Sequence, residues 1–213
     1  MNITDLQIKI CGMTDTENIQ AVAKQIKPDY MGFIFYEKSK RFVTENFILP
    51  EIHQDIKKVG VFVNPTLEYL EKTIEKYALH AIQLHAEESP ELCAYIKQKY
   101  QNLMLIKVFS VAENFDFEIC EPYQNIADFF LWDTKGKQYG GNGTTFDWKI
   151  LDKYKGNKKN FISGGINTEN LKDLLSFLDA TPNKSIIGID VNSGFEIKPA
   201  LKNIQQLQIL KKS

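Results

Sequence analysis

Cysteine and histidine are scarce in this chain, and widely scattered. Three cysteines (Cys11, Cys93, Cys120) and three histidines (His53, His80, His85) among 213 residues make neither a disulfide framework nor a spaced set of zinc ligands. No metal or cofactor is therefore expected, and the odd number of thiols fits a reducing compartment, the cytoplasm. Long hydrophobic runs are missing too. The longest, residues 31–36, is interrupted by Gly32 and falls far short of the ~18 residues that mark a membrane span. The opening MNITDLQIKI has no basic region ahead of an apolar stretch, so neither a signal peptide nor a membrane partner is expected. Charge of one sign is not in excess: 26 Lys and Arg face 27 Asp and Glu. That balance removes the electrostatic footprint of a nucleic-acid partner.

What the chain does contain is alternation. Short apolar, β-branched runs at 7–11, 30–35, 58–63, 80–85, 103–109, 128–133, 160–163 and 187–191 read as strands. Their starts recur at about 26 residues, the length of a strand, a helix and two short loops. Between them, 15–27 places Ile19, Val22, Ala23 and Ile26 on one face, with Thr14 or Asp15 as cap, and 66–78 places Leu67, Leu70, Ile74 and Tyr77 at helical spacing. Eight such units without a composition break predict one domain over 1–213, a single closed (βα)8 TIM barrel. An open doubly wound sheet is the alternative. Pro122 and mixed polarity in 110–127 predict a short or irregular fifth helix.

Side chains alternate along a strand, so parity decides which of them share a face. Ile8 and Ile10 form the apolar set of the first strand, which directs Lys9 and Cys11 into the barrel with Cys11 at the mouth. In the sixth strand Phe130 and Trp132 face outward, leaving Phe129, Leu131 and Asp133 inward. Three steps separate strands one and six around an eight-strand ring. Cys11 and Asp133 are thus expected on opposite sides of the mouth, with room for a sugar between them. Cys11 ends a strand ahead of Gly12 and a helix start, beside Lys9, a setting that favours thiolate. Cys93 and Cys120 read as core fillers. For Asp133 to act as an acid near pH 7, an ordinary carboxyl pKa of about 3.9 must rise by about three units. Phe129 and Leu131 offer an apolar approach toward that end. The alternative for Asp133 is a loop cap.

Glycine clusters follow the last three strands: Gly140, Gly141 and Gly143 around Asn142; Ser163, Gly164 and Gly165; and Asn192, Ser193 and Gly194. Glycine lets backbone N–H groups wrap an anion, and barrels commonly bind phosphate at the loops after strands seven and eight. Arg41, after strand two, suits a two-pronged contact to a carboxylate, or else is a solvated arginine in a basic run with Lys38 and Lys40.

The segments KICGMT (9–14), MGFIFYEKSKRFV (31–43), VGVFVN (59–64), IQLHAEE (82–88), WDTKGKQYGGNGTTFDW (132–148), FISGGINTEN (161–170) and IDVNSGFE (189–196) closely resemble the phosphoribosylanthranilate isomerase family of tryptophan biosynthesis, over nearly the whole chain. KICGMT together with the block at 132–148 carries the specificity, because GG motifs alone occur in many phosphate-binding barrels. The resemblance implies an Amadori rearrangement with Cys11 as general base and Asp133 as general acid. It implies Arg41 at the anthranilate end, and Gly164, Gly165, Asn192, Ser193 and Gly194 at the phosphate. It also implies a monomer acting on one small-molecule substrate, phosphoribosylanthranilate. Three departures stand out. Ala86 follows His85 where the family often has glycine, Asn192 stands where it commonly has Ser, and PALKN (199–203) replaces PGxKD, without its glycine and acid. Alternatives are the histidine-pathway isomerase barrel, which uses Asp at the position of Cys11; a non-catalytic phosphate-binding barrel; and a Schiff-base aldolase using Lys107.

Overall fold

The computed structural model describes residues 3–134, 145–180 and 185–211. Eight parallel strands close into a barrel in sequence order: β1 (Gln7–Ile10), β2 (Tyr30–Ile34), β3 (Lys57–Phe62), β4 (Ala81–Leu84), β5 (Met104–Val111), β6 (Phe129–Thr134), β7 (Asn160–Ile162) and β8 (Ile186–Val191), with β8 pairing back onto β1. The closed ring excludes the open sheet. Every strand read from the sequence is present, with ends moved by at most two residues.

Parity sorts the core into two layers. Inside the ring, Tyr30, Val59, Ala81, Ile106, Val108, Leu131 and Phe161 fill the barrel. Outside it, Ile8, Ile10, Phe130 and Trp132 join the larger layer beneath the helices. The inward and outward assignments for β1 and β6 hold. Burying a large apolar side chain is worth about 1.5–3 kcal/mol, so a one-residue slip of either strand would expose several such groups at once.

Three covering helices start at side-chain caps. Asp15 accepts from Asn18 N ahead of α1 (Thr16–Gln25), Thr66 from Tyr69 N ahead of α2 (Leu67–Tyr77), and Ser89 from Leu92 N ahead of α3 (Pro90–Lys99), where Pro90 occupies the first turn. α4 (Leu171–Ala180) follows β7. The regular eight-unit pattern fails in three places. As read from Pro122, the fifth connection carries only a 3-10 segment, Phe117–Tyr123. The sixth also carries one, Trp148–Lys153. Residues 35–56, between β2 and β3, form no helix at all. Aromatic packing covers the sheet where the fifth and sixth helices are short: Trp132 lies 5.0 Å from Tyr154 and 5.6 Å from Phe117, and Phe109 lies 5.0 Å from Phe130, centroid to centroid.

After β8 the chain makes a hairpin, β9 (Glu196–Lys198) and β10 (Leu201–Lys202), then the one-turn helix α5 (Ile204–Leu207). The altered PALKN segment lies here. Ala200 has φ +69°, a left-handed conformation that a glycine would adopt at no steric cost. Asn203 caps α5 by accepting from Gln206 N, a role an acid at this position could equally fill. Asn18 of α1 anchors the hairpin, donating to Lys202 O and accepting from Lys202 N at 2.9 and 2.8 Å. A left-handed alanine costs about 1–2 kcal/mol. Replacing it, Ala200→Gly, is predicted to raise the midpoint of thermal unfolding by about 2–4 °C, as followed by circular dichroism. An unchanged or lower midpoint would show that no strain resides there.

Candidate active site

The carboxyl ends of the strands open on a cavity of about 560 Å³, within the range of small-ligand sites. Cys11, Arg41, Asp133, Gly164, Gly165, Asn192, Ser193 and Gly194 all line it, and so do Gln83, His85 and Asp190. The residues that the resemblance implies for the site therefore meet in one place. The cluster Gly140, Gly141, Asn142 and Gly143 lies outside the described residues.

Cys11 follows β1 and is tied to β8 by Cys11 N donating to Val191 O at 2.9 Å. Gly32 on β2 makes space for it: a Cβ there would sit 2.7 Å from Cys11 Sγ and 3.2 Å from Lys9 Nζ. Beneath the thiol, Lys9 Nζ donates to Asp190 Oδ2 at 2.9 Å, both groups buried. The two residues are register partners across the β1–β8 seam. Burial alone would lower the Lys9 ammonium, but Asp190 outweighs it and holds it raised, while burial pushes the Asp190 carboxyl up against the pull of Lys9. For Cys11 the balance runs against the sequence reading. Burial pushes the thiol up and Asp190 adds to this, while Lys9 and Lys202 oppose without prevailing. Without substrate the sulfur is a thiol, because desolvation penalises the anion more than the lysines repay.

Asp133 ends the inward set of β6, where His85 Nε2 lies 3.1 Å from its Oδ2. His85 Nδ1 in turn lies 3.1 Å from Gln83 Nε2. Among the buried oxygens without a hydrogen-bond partner are Gln83 Oε1 and Asp190 Oδ1. Buried polar atoms are seldom left unpaired, and both belong to residues lining the cavity.

Arg41 is not a solvated member of a basic run. Its side chain is mostly buried, with Nε donating to Glu196 Oε1 and Oε2 at 2.9 and 3.1 Å and Nη2 to Oε2 at 2.6 Å. Glu196 holds one edge of the guanidinium and leaves the Nη1–Nη2 edge for a carboxylate. Burial would push Glu196 up, but Arg41 and Lys202 outweigh it and keep its carboxyl below the usual range. Lys202 Nζ also donates to Asn192 Oδ1 at 2.8 Å, which uses the Asn found in place of the family's Ser to fix the loop after β8. Across the cavity, Gly164 and Gly165 have φ +85° and +64°, conformations that glycine adopts without steric cost.

Lys107, the aldolase candidate, does not line the cavity. Its ammonium is buried against Glu88 at 3.0 Å and donates to Leu84 O and Ala86 O. Sequence reading did not single out Gln83, His85, Asp190 or Glu196. For Gln83 and His85 a signal existed: polar residues at alternate positions of an otherwise apolar strand end, the parity that selects Lys9 and Cys11.

A family model described as N-(5'-phosphoribosyl)anthranilate (PRA) isomerase matches residues 8–212. The N-(5'-phosphoribosyl)anthranilate isomerase of Parabacteroides distasonis is 43% identical over 205 residues, covering 94% of this chain and 90% of the relative. That of Phocaeicola vulgatus is 42% identical over 197 residues, covering 92% and 91%. Among solved structures, phosphoribosyl anthranilate isomerase from Thermotoga maritima superposes with a TM-score of 0.79 at 32% identity, covering 96% of each chain. A phosphoribosyl anthranilate isomerase in complex with reduced 1-(o-carboxyphenylamino)-1-deoxyribulose 5-phosphate gives 0.74 at 29% identity, again covering 96% of each. The match runs from β1 through the hairpin after β8 and favours this family over the histidine-pathway barrel: the chain belongs to the N-(5'-phosphoribosyl)anthranilate isomerase family.

Proposed function

We propose that this barrel carries out the family's Amadori rearrangement with Asp133 as general acid and Cys11 as general base. The substrate is N-(5-phosphoribosyl)anthranilate and the product 1-(2-carboxyphenylamino)-1-deoxyribulose 5-phosphate. One observation carries the reading: Cys11 and Asp133, on strands three steps apart in the closed ring, line one cavity with Arg41 and the glycine loops. Asp133 protonates the furanose ring oxygen, the C1–O bond breaks, and the substrate nitrogen supplies the electron pair that forms the Schiff base. Cys11 then takes the proton from C2, and the enolamine formed becomes the ketone. A cationic Schiff base near the sulfur offsets the burial that keeps Cys11 a thiol beforehand, so the thiol releases its proton to solvent once that charge has formed, and the thiolate takes the C2 proton in its place. Asp190 Oδ1 suits a sugar hydroxyl as donor. Gly164, Gly165, Asn192, Ser193 and Gly194 hold the phosphate, and the outer edge of Arg41 holds the anthranilate carboxylate. Fixing both ends presents C2 to the sulfur.

We read the chain as a single catalytic domain and a cytoplasmic monomer. Among the described residues no helix is long and apolar enough to cross a membrane, and the exposed large apolar side chains Ile48, Leu67, Tyr95, Ile119, Ile197 and Ile209 are dispersed along the chain.

Anthranilate fluorescence follows turnover directly. Cys11→Ser and Asp133→Asn are each expected to lose at least about 10²-fold in kcat while keeping the wild-type circular dichroism; near-native turnover in either variant would overturn its role. Arg41→Lys gives up the planar fork and is expected to raise KM about tenfold with a smaller change in kcat. An unchanged KM would remove Arg41 from carboxylate binding.

A further inference from the structure

Asn192 raises a question of direction. A serine there, as the family commonly has, carries a hydroxyl that rotates to donate to an anion. An asparagine amide has two unlike ends. Its nitrogen donates to a phosphate oxygen, whereas its oxygen turned the same way repels one. Asn192 lines the cavity beside Ser193, Gly194, Gly164 and Gly165, so the sense of its amide decides whether it helps or hinders an anion at those loops.

Lys202 sets that sense. Its Nζ donates to Asn192 Oδ1 at 2.8 Å and to Glu196 Oε1, and its side chain is fully buried. An ammonium offers three hydrogens and no acceptor, so Asn192 meets it only through oxygen. Burial lowers the Lys202 pKa. Glu196 pulls the other way, its carboxyl kept below the usual range despite burial by Arg41 and Lys202. Paired with that carboxylate, the nitrogen stays a donor. At the far end of the amide, Nδ2 has no hydrogen-bond partner among the described residues.

The lysine is itself fixed. Asn18 of α1 binds both of its backbone polar groups, at 2.9 and 2.8 Å. The amide also has a shaped seat: a Cβ on Gly12 would lie 2.7 Å from Asn192 Oδ1 and 3.2 Å from Nδ2. Turned over in that seat, the amide would set its N–H groups against the ammonium, donor facing donor.

We propose that Lys202 is a positioning residue that holds the Asn192 amide with its nitrogen free to donate to the substrate phosphate. This rests on reading the loops after β7 and β8 as the phosphate site. The substitution of asparagine for serine and the buried lysine thus form one unit, since the amide is useful only while something fixes its direction. A lysine that served only Glu196 and Arg41, or that acted by charge alone, would weaken phosphate binding independently of Asn192.

Inorganic phosphate, as a competitive inhibitor of turnover followed by anthranilate fluorescence in the full chain, tests this. Asn192→Ala is expected to raise its Ki about tenfold, the loss of one hydrogen bond to a charged group. Lys202→Met is expected to do the same, and the double variant to stay within about twofold of either single one. Where Lys202→Met does not fold, Lys202→Gln takes its place, because its amide offers oxygen as readily as nitrogen and no longer imposes a direction. In the wild-type chain, saturating phosphate is expected to move the Asn192 side-chain amide hydrogens downfield in NMR spectra, the signals being assigned by their loss in Asn192→Ala. A wild-type Ki in the Lys202 variant, single-variant effects that multiply in the double variant, or amide hydrogens that do not move would each overturn the proposal. The two readings fail differently. If Asn192→Ala weakens phosphate and the Lys202 variants do not, only the orienting role is lost. If phosphate does not compete with substrate at all, the phosphate-loop reading fails first and the proposal with it.

Discussion

The site depends on the buried ion pair between Lys9 and Asp190 across the β1–β8 seam. It lies where the barrel closes, at 2.9 Å with both partners buried, directly below the thiol and within electrostatic reach of the Asp133–His85 pair. A buried pair of this kind is weak evidence for added stability, but removing one partner leaves an uncompensated charge at a cost of about 3–5 kcal/mol. Its contribution is electrical and geometric. It ties β1 to β8 directly below Cys11 and leaves Asp190 Oδ1 available at the cavity.

A second constraint comes from the loops. Arg41 is useful only because Glu196 occupies one edge of its guanidinium, and Glu196 is in place because the hairpin after β8 is pinned by Lys202 and Asn18. The part of the chain where the departures cluster therefore supports the Arg41 side of the cavity, where we propose that the anthranilate carboxylate binds. The departures are compensated by local physics: an alanine adopts the left-handed turn, an asparagine caps the helix, and another asparagine accepts from the lysine.

Much of this was legible in the sequence because a strand's period is fixed. Parity alone put Lys9, Cys11 and Asp133 inside and Ile8, Ile10, Phe130 and Trp132 outside. Eight evenly spaced runs implied closure. Local composition also exposed the irregular fifth connection through Pro122. What stayed hidden depends on contacts between distant positions. The spacing of the strands implied eight regular units, yet residues 35–56 form no helix. The Glu196–Arg41 contact spans 155 positions, and no local pattern encodes it. The thiol's protonation state was misjudged for a similar reason. Lys9 is visible as a neighbour in sequence, whereas the desolvation that outweighs it is produced by the assembled barrel.

The central claim is a division of labour: Asp133 opens the ring, and Cys11 removes the proton from C2. Single-turnover rates with substrate carrying deuterium at the ribose C2, compared between Cys11→Ser and Asp133→Asn, test it most directly. Slowing C2 deprotonation makes that bond limiting, so the serine variant is predicted to show a large primary isotope effect. Slowing ring opening hides it, and the asparagine variant is predicted to show an effect near unity. Equal isotope effects in the two variants would contradict the assignment of separate steps to the two residues.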